Sequence, residues 1–186
     1  MSYQELLDWN WTAPRDRAAR LVQGLDEVPV AIPHVEPSDT TATLEPTDTT
    51  APTAILCVTS HSGFGLHLIG TVCRLFPGYF PNFIFVSTAS ELDLERYVAW
   101  ARANALRADC RAAHGSEVIP ALYETCRQLL CEYPRGVVII GKAIFREREY
   151  PWSAYSSMAS TLERRLLFDD IQTLVLPITV PDSQKT

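Results

Sequence analysis

The stretch Ile55-Leu56-Cys57-Val58-Thr59-Ser60-His61-Ser62-Gly63-Phe64-Gly65-Leu66-His67 constrains this chain more than any other. It opens as a short apolar run rich in β-branched residues, the pattern of a buried strand. It then passes through a Gly-x-Gly turn, and from Ile69 the residues Ile69, Val72, Cys73 and Phe76 recur at helical spacing. Strand, glycine turn and helix in succession form the first half of a βαβ unit. Backbone N–H groups without intrahelical partners face outward at such a helix start, where anions commonly bind.

Composition narrows the class. The 186 residues are 47% hydrophobic, which suits one globular domain with a substantial core and an additional arm. The formal net charge of −6 argues against a protein that tracks nucleic-acid phosphates. Cys57, Cys73, Cys110, Cys126 and Cys131 contain no C-x-x-C pair, so they read as reduced, buried thiols of a cytosolic protein. A disulfide framework or a zinc site would need other spacing. No run is long enough to span a bilayer, and Met1–Glu5 lacks the features of a signal peptide, so a soluble cytoplasmic protein is expected.

Residues 1–28 carry Trp9, Trp11 and an amphipathic run from Pro14 to Leu25, which predicts a helical arm docked on the body or on a partner. Residues 29–53 shift to Thr, Pro, Asp and Glu, the composition of a linker. The α/β domain occupies 54–181, and 182–186 form a tail. Within the domain, Phe83–Ser87 reads as a second strand. Ser90 and Asp93 read as a capping box for a helix with Leu94, Val98, Ala101 and Ala105 inward. Ala108–Ala113 is a third strand. Gly115-Ser116 opens a helix with Ser116 as N-cap and Leu122, Cys126, Leu129, Leu130 and Tyr133 inward. Gly136–Gly141 is the central strand, Ser156–Phe168 a fourth helix and Thr173–Pro177 the last strand. This alternation predicts a three-layer αβα sandwich around a five-stranded parallel sheet of order 3-2-1-4-5, a Rossmann-like fold. The Gly63 turn, the Gly115-Ser116 turn and a Gly141-Lys142 loop then share the carboxyl edge of the sheet, beside the switch point between strands one and four.

The chemistry at that edge is sparse. Gly63-Phe64-Gly65 lacks the third glycine and the acidic partner of a dinucleotide fingerprint, and no Gly-Lys-Ser/Thr follows to make a P-loop. Two readings stay open for it: a tight structural turn, or an anion or nucleotide site. His61 and His67 flank the turn, and His67, in the first turn of the helix, is expected neutral because the helix dipole disfavours imidazolium there. Neither histidine has a third metal ligand at a recognisable spacing, and no metal is expected. Lys142, Arg146, Arg148, Arg164 and Arg165 form a basic group in an acidic chain, either a solvated face or a patch for an anionic ligand or acidic partner. No G-x-S-x-G, H-E-x-x-H or C-x-x-C is present, so no catalytic residue is assigned. The candidate ligand-binding residues are Ser60, His61, Gly63, Gly65, His67, Gly115, Ser116, Gly141 and Lys142.

Three segments together resemble a known family: Ser60–His67, Arg74–Ser87 (Arg-Leu-Phe-Pro-Gly-Tyr-Phe-Pro at its start), and Arg164-Arg165-Leu166 through Val175-Leu176-Pro177. They resemble the cytosolic C-terminal domain of bacterial amino-acid permeases of the amino acid-polyamine-organocation (APC) superfamily, over about residues 54–180. The resemblance implies a universal-stress-protein-like α/β fold, a role in regulating or assembling a transporter, and no established catalysis. It also implies a homodimer, a membrane transporter as partner, and a cytoplasmic location peripheral to the inner face of the cell membrane. The chain departs from the family in four places. The membrane-spanning part is absent, so a free-standing relative or a fragment is expected; the segment after strand two is short; and Tyr155-Ser156 and Glu117 stand where the family has His-Asn and often Asp.

Three functions follow. The first is a non-catalytic regulatory or assembly domain that self-associates, without cofactor or nucleic acid. The second is a universal-stress-protein-like sensor, with ATP or a cyclic dinucleotide across the Gly63 turn and its phosphates at Gly115-Ser116. The third, with least support, is a small hydrolase using His61 or His67.

Overall fold

The computed structural model describes residues 22–30, 46–58, 62–145 and 154–180, with side chains from residue 158 onward in the last stretch. Trp9, Trp11, Ser60, His61, Arg146, Arg148 and Tyr155-Ser156, on which sequence readings fall, lie outside the residues or side chains so described. The elements alternate along the chain: β1 (Thr53–Cys57), α1 (Gly63–Leu75), β2 (Asn82–Ser87), α2 (Glu91–Ala103), β3 (Arg107–Ala112), α3 (Val118–Glu132), β4 (Gly136–Phe145), α4 (Ala154–Phe168) and β5 (Thr173–Val180). A short 3-10 turn, Gly24–Glu27, precedes them.

All strand pairs are parallel and the order is β3-β2-β1-β4-β5, the expected Rossmann-like α/β fold. Side-chain alternation divides the core between two faces. Ala54, Leu56, Phe83, Phe85 and Ile139 meet α1 and α2 on one side. Ile55, Ile84, Val86, Val138 and Ile140 meet α3 and α4 on the other. Helices on both faces explain why β1, β2 and the first half of β4 read as continuous apolar runs rather than alternating ones.

Buried polar groups at the amino edge are paired. Asn82 is fully buried; its amide donates to the Asp48 carbonyl at 2.6 Å and to Thr53 Oγ1 at 3.1 Å, and its Oδ1 accepts from Asp48 N–H at 3.2 Å. Thr47 Oγ1 lies 2.7 Å from the Tyr133 hydroxyl. These bonds tie residues 47–53, the end of the segment with linker composition, to the sheet, and Thr53 is the first residue of β1. Val22 and Leu25, at the end of the expected arm, are buried in the same cluster as α1 and α2.

Several local readings change. The helix after β1 starts at Gly63, not Ile69, so Gly63 and Gly65 are helical residues rather than a turn. Gly141 and Lys142 do not form a loop, because β4 continues to Phe145 alongside an equally extended β5. Gly141 pairs with Leu176 and Lys142 with Pro177. Ser116 is not the N-cap of α3; Glu117 is, without a side-chain capping bond. Pro120 decides this. A helix capped by Ser116 would need the Pro120 N–H for its first i→i−4 bond, and proline has none. One residue later, that bond runs from Ala121 N–H to the Glu117 carbonyl at 3.2 Å. The Ser90 capping box is present, with Asp93 N–H donating to Ser90 Oγ at 3.3 Å and Ser90 Oγ to the Asp93 carboxylate at 3.0 Å.

Candidate functional site

Between β1 and β4 the strand order reverses, and the carboxyl ends of these strands are where an α/β sheet of this kind offers a crevice. A recess of ≈ 50 Å³ lies there, lined by Cys57, Val58, Phe64, Ile140, Gly141 and Met158 among others. Its lining is apolar, with no charged side chain. Drug- and cofactor-sized ligands occupy pockets of about 300–1,000 Å³. Phe64 borders the recess closely: its ring sits over Gly141, where an added Cβ would lie 2.8 Å from Phe64 Cε1. Phe64 is buried and joins the α1 side of the core.

The start of α1 is built from close approaches. At Gly63 a Cβ would collide with the backbone of Leu25 and Asp26, and at Gly65 with the hydroxyl and ring of Tyr97. Glycine in a helix costs about 1 kcal/mol relative to alanine. Here it is what allows the 3-10 turn and α2 to reach the helix. The Gly63 N–H, one of the donors left open at a helix N-terminus, donates to the Asp26 carboxylate. The Ser62 N–H donates to the Tyr97 hydroxyl at 3.0 Å, and that hydroxyl donates back to the Ser62 carbonyl at 3.3 Å. Tyr97 is fully buried and stacks on Phe85 with ring centroids 5.3 Å apart. Burial is the main reason its hydroxyl pKa is raised, so it remains a neutral donor and acceptor.

His67 is the fifth residue of α1 and lies under the same N-terminal segment. It hydrogen-bonds the Val28 backbone, and its Nε2 is buried without a partner among the described residues. Burial lowers its pKa more than the Val28 bond raises it, so the ring is neutral at pH 7. Desolvation thus acts in the same direction as the helix dipole invoked from the sequence.

The candidate residues therefore divide. Gly63, Gly65 and His67 meet at the start of α1, beneath residues 25–28. Gly141 lies at the recess under Phe64, whereas Lys142 is its neighbour on the opposite face of β4. Gly115 and Ser116 are exposed before α3 and do not line the recess. Arg165 lies over the Tyr123 ring, 4.6 Å from its centroid, and belongs to the α3–α4 surface rather than to the crevice. Sequence reasoning missed Asp26 and Tyr97. Tyr97 falls between Leu94 and Val98 on the inner face of α2, and the i, i+3 step from Leu94 was the signal that could have found it. Asp26 carries no comparable signal.

Among the described residues no group of three or more His, Cys, Asp or Glu side chains is placed to hold a metal ion. No described helix is long and apolar enough to cross a membrane. No protein-family model matches the chain, and no curated protein matches it.

Proposed function

We propose that this chain is a non-catalytic regulatory or assembly domain, acting as a homodimer at the cytoplasmic face of a membrane transporter of the amino-acid permease type. The link to permeases rests on the resemblance of Ser60–His67, Arg74–Ser87 and Arg164–Pro177. The observation that supports the non-catalytic reading is that, among the described residues, groups of the chain itself stand at the switch point. The Asp26 carboxylate takes a helix N–H where an anion would bind, and Phe64 lies over Gly141 at the recess. Function then falls to surfaces. Leu167 and Phe168, 54% and 82% exposed at the end of α4, supply an apolar contact for a partner.

The test combines sedimentation velocity with membrane co-sedimentation of the full chain. The expected result is a dimer at micromolar concentration and retention on permease-containing membranes, both weakened by F168E. A monomer that ignores such membranes overturns the proposal. A thermal shift with millimolar ATP or cyclic dinucleotide separates the sensor reading. Binding would stabilise the chain by RT ln(1 + [L]/Kd), whereas the non-catalytic assembly reading predicts no shift.

A further inference from the structure

Cys57 and Cys126 stand 69 positions apart in sequence, yet their Sγ atoms lie 3.6 Å from each other. Cys57 is the last residue of β1 and Cys126 lies within α3, so the pair bridges the sheet and a covering helix. Cys126 is fully buried, while Cys57 is partly exposed and lines the recess at the carboxyl edge. Cys57 thus borders the recess and Cys126 lies behind it, an arrangement that suits an attacked and a resolving sulfur. Cys73, Cys110 and Cys131 are also free thiols, on α1, β3 and α3.

We propose that Cys57 and Cys126 are a thiol switch, oxidised by a hydroperoxide to a reversible disulfide that ties β1 to α3. In the first step the Cys57 thiolate attacks one oxygen of hydrogen peroxide. An S–O bond forms, the O–O bond breaks, and hydroxide leaves as water after taking a proton. The Cys126 sulfur then attacks the Cys57 sulfenic acid; the S–S bond forms, the S–O bond breaks, and a second water leaves. Two thiols lose two electrons in total and the peroxide gains them. A dithiol reverses the bond by exchange.

The sulfurs must close from 3.6 Å to about 2.05 Å. Cys57 is paired with Val86 and Ile140 on its two sides, so the approach falls to its side chain, beside which the recess gives room. The hydrogen bond with Cys126 and burial both push the Cys57 thiol well above its ordinary pKa. The Cys57 sulfur is therefore protonated at neutral pH, and its oxidation is slow there and faster in alkali. The bond would fix the strand end from which the chain runs to the start of α1.

The full chain is treated with hydrogen peroxide, its remaining thiols are alkylated in denaturant, and its peptides are mapped without reduction. The expected product is a Cys57–Cys126 cross-linked peptide that dithiothreitol removes, with Cys73, Cys110 and Cys131 in no cross-link to either. Closing so long a loop should raise Tm by roughly 5–10 °C, and neither C57S nor C126S should show the rise. Full alkylation of Cys57 and Cys126 after treatment, or pairing of either with a different cysteine, overturns the proposal. The mapping uses the unaltered chain, so its outcome does not depend on the variants folding.

Discussion

The carboxylate of Asp26 accepts a hydrogen bond from the backbone N–H of Gly63, so a residue from the N-terminal segment occupies the N-terminus of the first helix of the sheet domain. The contact has electrostatic and steric parts. Negative charge is favoured at a helix N-terminus, and glycine at position 63 lets the Leu25–Asp26 backbone come within reach of the helix.

Asp26→Ala should therefore cost about 1 kcal/mol, seen as a lower urea midpoint with an unchanged slope. Gly63→Ala should cost more than Asp26→Ala. Its methyl group meets backbone atoms, which cannot rotate away. Equal stability of the two variants would show that the segment does not press on the helix.

Gly65 and Tyr97 should be energetically coupled. Tyr97→Phe loses the hydrogen bonds to Ser62 and should cost about 1 kcal/mol. Gly65→Ala places a methyl against the Tyr97 hydroxyl and should cost about 1–3 kcal/mol. In the double variant the hydroxyl is gone and part of the clash with it, so the combined loss should be smaller than the sum. A double-mutant cycle by chemical denaturation measures the difference.

Stability should fall on mild acidification through His67. Its folded pKa lies below the ordinary 6.5, so below that pH the unfolded chain binds more protons than the folded one. The His67 contribution is complete above pH 6.5, is lost as pH falls toward the folded pKa, and stays constant below it. Thermal melts from pH 7.5 downward should show this decline, and His67→Gln should flatten it over the same window.

Two serines that read alike as helix caps should behave differently. Ser90→Ala removes the bond from the Asp93 N–H and should cost about 1 kcal/mol. Ser116 is exposed and caps nothing, so Ser116→Ala should stay within about 0.5 kcal/mol of the unaltered chain. Melting temperatures of the two variants suffice to separate them.

The architecture was legible from the chain because both faces of the sheet are covered. The runs Ile55–Val58, Phe83–Val86 and Val137–Ile140, alternating with helical stripes, admit few arrangements other than parallel strands in the order found. The Ser90 box and the inward positions of Leu122, Cys126 and Leu129 were equally readable, since each depends on residues within one or two turns. The site was not. Gly63, Gly65 and Gly141 read as turns or loops because glycine most often marks them. Here each glycine instead clears space for a group distant in sequence: Leu25, Tyr97 and Phe64.

What the sequence determined by itself was the order and kind of its elements, which follow from periodicity and local capping. What only the tertiary structure decided was how the start of the first helix is filled. That depends on the fit of Asp26, Phe64 and Tyr97 around backbone without side chains. Such a fit is set by packing between separate elements, and it leaves no periodic trace along the chain.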